Sequence, residues 1–122
     1  MKGGRYNTHN MLRVVEAQYN SIQSELKKIS QIEQRVRIEI LRIDSQLGDL
    51  LYLPGTTSIE YKFIGAEVLW RSRLSKQKRA LTLELAKVLA KKTDLILKLN
   101  HAHVKFDAVK LLAERLAETR RV

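Results

Sequence analysis

The sequence predicts an all-α fold: a long antiparallel two-helix coiled-coil hairpin whose second helix overhangs the first. Three observations predict it. Apolar residues recur every seven positions on both sides of one break. That break, Leu53-Pro54-Gly55-Thr56-Thr57-Ser58, is the one strong turn signal in the chain. The 122 residues include only five glycines and one proline, which argues against a turn-rich β domain. The whole chain, 1–122, then forms a single domain.

Helix 1 is expected from about residue 9 to 52, and it carries two seven-residue series. One reads Leu12, Tyr19, Leu26, Glu33, Ile40, Leu47, and the other Val15, Ile22, Ile29, Val36, Ile43, Leu50. Glu33 is the single position in the two series that is neither apolar nor aromatic. A strict repeat of this length implies a left-handed supercoil.

The turn is placed at 53–57. Pro54 cannot continue a helix and biases Leu53 away from helical geometry. Thr57-Ser58-Ile59-Glu60 has the form of a capping box that would start helix 2 near residue 58. Helix 2 then runs to about 120. From Leu81 its seam reads Leu81, Leu85, Val88, Lys92, Leu95, Leu99, Ala102, Phe106, Val109, Ala113, Leu116. Upstream, Ile59, Phe63, Ala66, Trp70 and Leu74 continue the apolar pattern. The four-residue step from Trp70 to Leu74 breaks the period, so a register adjustment is expected there. Leu89, Ile96 and Leu97 fall off the seam and either widen the apolar face or offer a surface to a partner.

Folding the chain at Pro54-Gly55 makes facing residue numbers sum to about 111, with helices of about 66 Å and about 93 Å. Gly48 then faces Phe63, and Ile40 and Leu41 face Trp70. Tyr19 faces Lys92, and Glu33 faces Lys78. A lone acid–base pair in an apolar seam fixes register more than it adds stability, so Glu33 and Lys78 form the expected register pair. The alternative is that Glu33 turns outward and Ile32 packs in its place. Helix 2 would extend alone from about His103. Its apolar stripe there, Phe106, Val109, Leu112 and Leu116, is an expected partner-binding or self-association site.

Charge supplies a second candidate surface. The net charge is +10, and Arg71 to Lys92 holds eight cations against Glu84 alone. Arg71, Arg73, Lys76, Lys78 and Arg79 head this stretch and are the expected contacts for an acidic protein surface, nucleic acid or anionic lipid. A merely solvated face is the plain alternative.

Several function classes lack their residues. No cysteine is present, which excludes disulfides, Cys-ligated zinc and thiol catalysis. There is no phosphate-binding glycine loop, dinucleotide fingerprint or HExxH motif. His101 and His103 are two apart, which puts them on different sides of a helix and unsuited to one metal ion. A two-helix hairpin offers almost no concave pocket. The expectation is a protein that is not an enzyme and has no cofactor or metal site. Residues 1–7 have no apolar signal region and no segment approaches membrane-spanning length, so a cytoplasmic location is expected.

Taken together, the basic uneven hairpin resembles the FliJ family, stalk-like components of the bacterial flagellar type III export apparatus. The residues that carry the resemblance are the opening Met11-Leu12-Arg13-Val14-Val15-Glu16, the middle Ala66-Glu67-Val68-Leu69-Trp70-Arg71-Ser72-Arg73-Leu74, and the end 104–115, with its alternating Lys and apolar residues, Leu111-Leu112 pair and Glu114-Arg115. The resemblance implies a coiled-coil stalk that inserts into the ring of an export ATPase, contacts an export-gate protein at the inner membrane and escorts substrate chaperones. It implies a cytoplasmic location with peripheral attachment to the inner membrane. Two other readings stay open: a basic coiled coil that binds nucleic acid, ranked lower because no base-reading module is recognisable, and a scaffold adsorbed to anionic membrane.

Overall fold

The computed structural model describes the backbone of residues 2–50 and 58–121 and the side chains of residues 8–50 and 65–120. It is a two-helix hairpin with no strand among those residues: α1 spans Lys2–Leu50 and α2 spans Ser58–Arg121. Helix α1 thus starts earlier than the expected residue 9. The Pro54-Gly55 break and the side chains of the Thr57–Glu60 capping box and of Phe63 lie outside the described residues. None of the described helices is long and apolar enough to cross a membrane.

The helices contribute to two compact units, Met1–Ser30 with Lys91–Val122 and Gln31–Ala90. In the second unit the core is Val36 and Ile43 from α1 and Leu74 and Val88 from α2. Ile40, Leu47, Leu81 and Leu85 are half-buried between them. In the first unit Ile29, Leu95 and Ala102 are buried, with Leu12, Val15, Tyr19, Ile22, Leu26, Leu99, Phe106, Val109 and Ala113 half-buried. These are the positions of the heptad series. Apolar burial is the main favourable term, and a stripe that repeats every seven residues keeps facing one partner helix. Thr8 extends the α1 seam one heptad further, a buried polar residue that apolar patterning passes over.

The pairing register differs from the expected one. In the second unit Lys78 Nζ lies 2.6 Å from Asp44 Oδ1. In the first unit the Tyr19 ring stacks on Phe106, centroids 6.1 Å apart and 23° between planes, and tilts against His103 at 5.8 Å. Facing numbers therefore sum to about 122–125 in each unit. The physical reason is the phase of the α2 seam. A sum near 111 would set Val36 against Ser75 and Ile40 against Arg71. The observed register puts Val36 level with about Val88, Ile40 with about Leu85 and Ile43 with about Leu81. These three layers are then apolar on apolar.

Three expectations fall with that register. Glu33 and Lys78 are not the register pair: Lys78 bonds Asp44, and Glu33 Oε2 accepts from Arg37 Nε at 3.2 Å along α1. Glu33 and Asp44 stand about 16 Å apart along the helix, beyond one lysine's reach. Tyr19 meets Phe106 and His103 where Lys92 was expected. Trp70 and Leu41 are both exposed and do not pack together. A Cβ at Gly48 would meet nothing within 4 Å, and its expected partner Phe63 lies outside the described side chains.

Gly65 is equally open, and no described glycine has a positive φ. Glycine in a helix interior costs about 0.5–1 kcal/mol against alanine. The double variant Gly48→Ala/Gly65→Ala should therefore be more stable by about 1–2 kcal/mol, read as a higher midpoint in chemical denaturation. A lower midpoint would mean that one of these positions needs glycine.

Candidate interaction surface

Residues 65–73 of α2 lie beyond the level of Leu50, the last described residue of α1. In the second unit, Leu50 at the end of α1 is level with about residue 74. Of residues 65–73, Glu67 alone is partly covered. Val68 and Leu69 are widely exposed, and Trp70 is 45% exposed. The seam thus runs back from Leu74 through Glu67, not through Trp70 and Ala66. An exposed tryptophan with two adjacent aliphatics is the residue type that anchors protein interfaces. The sequence carried a trace of it in the broken period between Trp70 and Leu74.

The five cations that head the basic stretch divide into two groups. Arg71 and Lys78 lie one heptad apart on the line that continues into the seam at Leu85, and each holds a carboxylate of its own chain. Arg71 Nη2 donates to Glu67 Oε1 at 2.8 Å, and Lys78 pairs with Asp44. Both pairs are substantially exposed, so each contributes well under 1 kcal/mol. Arg73, Lys76 and Arg79 follow at three-residue steps on the side turned away from α1, and all three are exposed. They sit one to two turns from Trp70. The local field is positive, the apolar anchor is beside it, and Glu84 is the nearest acid that follows on α2.

The expected second site, on a lone helix end, is corrected. In the first unit Thr8 is level with about Leu116, so α1 accompanies α2 almost to its end. Phe106 and Val109 are half-buried seam residues, and Phe106 is stacked on Tyr19. Leu112 and Leu116 remain exposed, at 48% and 39%. The four side chains do not form one free stripe. Among the described residues, α2 extends past α1 at residues 65–73 and not at its end.

Beside the seam in the first unit, an open groove is lined by Val14, Ala17, Ile22 and Ala102, with Lys98 and Lys105 on its rim. Lys98 pairs with Asp94 at 3.3 Å, and His103 Nε2 lies 3.3 Å from Asp107 Oδ2. The described residues hold no cluster of three or more His, Asp or Glu able to bind a metal ion.

Compared with known proteins, the chain matches no family model, no curated protein and no solved structure.

Proposed function

We propose that the chain is a non-enzymatic helical stalk of a bacterial flagellar type III export apparatus, and that the exposed face of α2 around Trp70 is its docking face. The observation that carries this reading is the exposed Trp70, with Val68 and Leu69, beside Arg73, Lys76 and Arg79. Tryptophan and arginine are the residue types that dominate interface energies, and a cationic flank steers an acidic partner. The partner is an export ATPase ring, with an export-gate protein and substrate chaperones as further contacts, as the resemblance to the FliJ family implies. The location that goes with it is cytoplasmic, with peripheral attachment to the inner membrane.

The test is affinity capture with the purified chain, followed by direct binding to each protein recovered. Recovery of a rotary-type ATPase that binds wild type but not Trp70→Ala supports the reading. Recovery of no such ATPase and no export-gate protein overturns it. A shifted nucleic-acid band at physiological salt, or co-sedimentation with anionic vesicles, would assign the basic face elsewhere.

A further inference from the structure

The first unit carries a second apolar line on α2, turned away from the seam. Leu97, Val104 and Leu111 repeat every seven residues and are 55%, 66% and 51% exposed. Each sits two positions after a seam residue, Leu95, Ala102 or Val109, which is about 200° around the helix. Helix α1 covers the opposite side. In a two-helix coiled coil this outermost line is ordinarily polar. Three consecutive heptads of large aliphatic residues there make an exposed stripe of the kind that marks a contact surface.

The residues flanking the stripe identify its occupant. We propose that it pairs with the same stripe of a second copy of this chain, antiparallel, with the two-fold axis at Val104. Leu97 then packs on the partner's Leu111, Val104 on the partner's Val104, and Leu111 on the partner's Leu97. On one flank Asp94 meets the partner's Arg115, and symmetry makes that attraction twice. On the other flank Thr93 and Asn100, each with a donor group, meet the partner's Glu114 and the partner's Asp107. His101 meets the partner's Ala108. No like charges oppose one another on either flank. An in-register parallel pair would instead set the cations of a +10 chain level with their own copies. Self-complementarity of this kind is what an isologous interface requires. The interface is small and the dimer correspondingly weak, with association expected at tens of micromolar. The inference is independent of the proposed export role, since it uses another face in the other unit.

The chain has no cysteine, so single cysteines report the pairing directly. Val104→Cys and Leu97→Cys are each oxidised at about 100 µM, above the expected dissociation range. The two-fold axis at Val104 predicts a disulfide-linked dimer for Val104→Cys. It predicts none for Leu97→Cys, because the two copies of residue 97 would lie about 21 Å apart. An equimolar mixture of Leu97→Cys and Leu111→Cys should cross-link as a heterodimer. Cross-linking of Leu97→Cys alone, or none of Val104→Cys, overturns the arrangement. A second readout is mass in solution. Wild type should approach twice 14.1 kDa at high concentration. Leu97→Ser/Leu111→Ser should stay at the single-chain mass with unchanged helicity. Wild type that remains single at that concentration contradicts the proposal.

Discussion

Leu74→Ala is expected to destabilise the hairpin by about 2–4 kcal/mol, whereas Trp70→Ala, four residues away, should change stability by under ~0.5 kcal/mol. Leu74 and Val36 are the most buried side chains, each 2% exposed. Truncating a buried leucine loses its transfer free energy and leaves a cavity that a two-helix seam closes only in part. Trp70, beyond the end of α1, has little to lose on that account, although its side chain is larger. Chemical denaturation followed by circular dichroism checks both variants. A tryptophan variant as damaged as the leucine variant would return Trp70 to the seam. The contrast also protects the binding test, since loss of partner affinity in Trp70→Ala would not come from unfolding.

Reversing Arg73, Lys76 and Arg79 to glutamate should weaken binding to an acidic partner by about 100-fold, mostly through slower association. Helicity should stay the same, because the three side chains project away from α1. The effect should shrink as salt is raised. Reversal of Arg71 and Lys78 is a useful contrast. Lys78→Glu would face Asp44, and Arg71→Glu would face Glu67, so both act on the chain's own pairs. Binding kinetics by surface-based titration against the recovered partner separate the two sets. Equal affinity for the triple variant and wild type would reduce the basic stretch to a solvated face.

The heptads of Leu12–Leu50 and Leu81–Ala113 were legible in the sequence, and they account for the two helices and most of the seam of each. From Leu12 to Leu50 every expected α1 seam position is buried or half-buried, and from Leu81 to Ala113 every α2 position is too. A seven-residue repeat declares which face is buried, but it repeats. Sliding one helix along the other by nearly two heptads changes the partners of every residue while leaving each stripe looking the same. The tight turn assumed at Pro54-Gly55 chose one of these alignments, and the phase of the α2 seam chooses another. The three register errors share that single cause.

The candidate site was legible in part for the same reason. The charges of Arg73, Lys76 and Arg79 can be counted in the sequence, and a helical wheel places them outward. Which cations hold carboxylates of their own chain depends on the pairing: Lys78 meets Asp44 through a contact 34 residues away in sequence. Trp70 looked like core because it stands four residues before Leu74 in an apolar pattern. Its exposure follows from the seam running back from Leu74 through Glu67, three residues before it, and from its place beyond the level of Leu50. Phe106 was misread in the opposite sense, as a free anchor, because the same shift moves Tyr19 onto it.

That register is tested most directly by intramolecular cross-linking in the cysteine-free chain. Two double variants are needed, Asp44→Cys/Lys78→Cys and Glu33→Cys/Lys78→Cys, each treated at low concentration with a short thiol-reactive cross-linker. The hairpin described here predicts efficient cross-linking within one chain for the first pair. It predicts none for the second, whose positions lie about 16 Å apart along the helices. Cross-linking of Glu33→Cys to Lys78→Cys, with none between positions 44 and 78, would contradict it and restore a hairpin whose overhang lies at the end of α2.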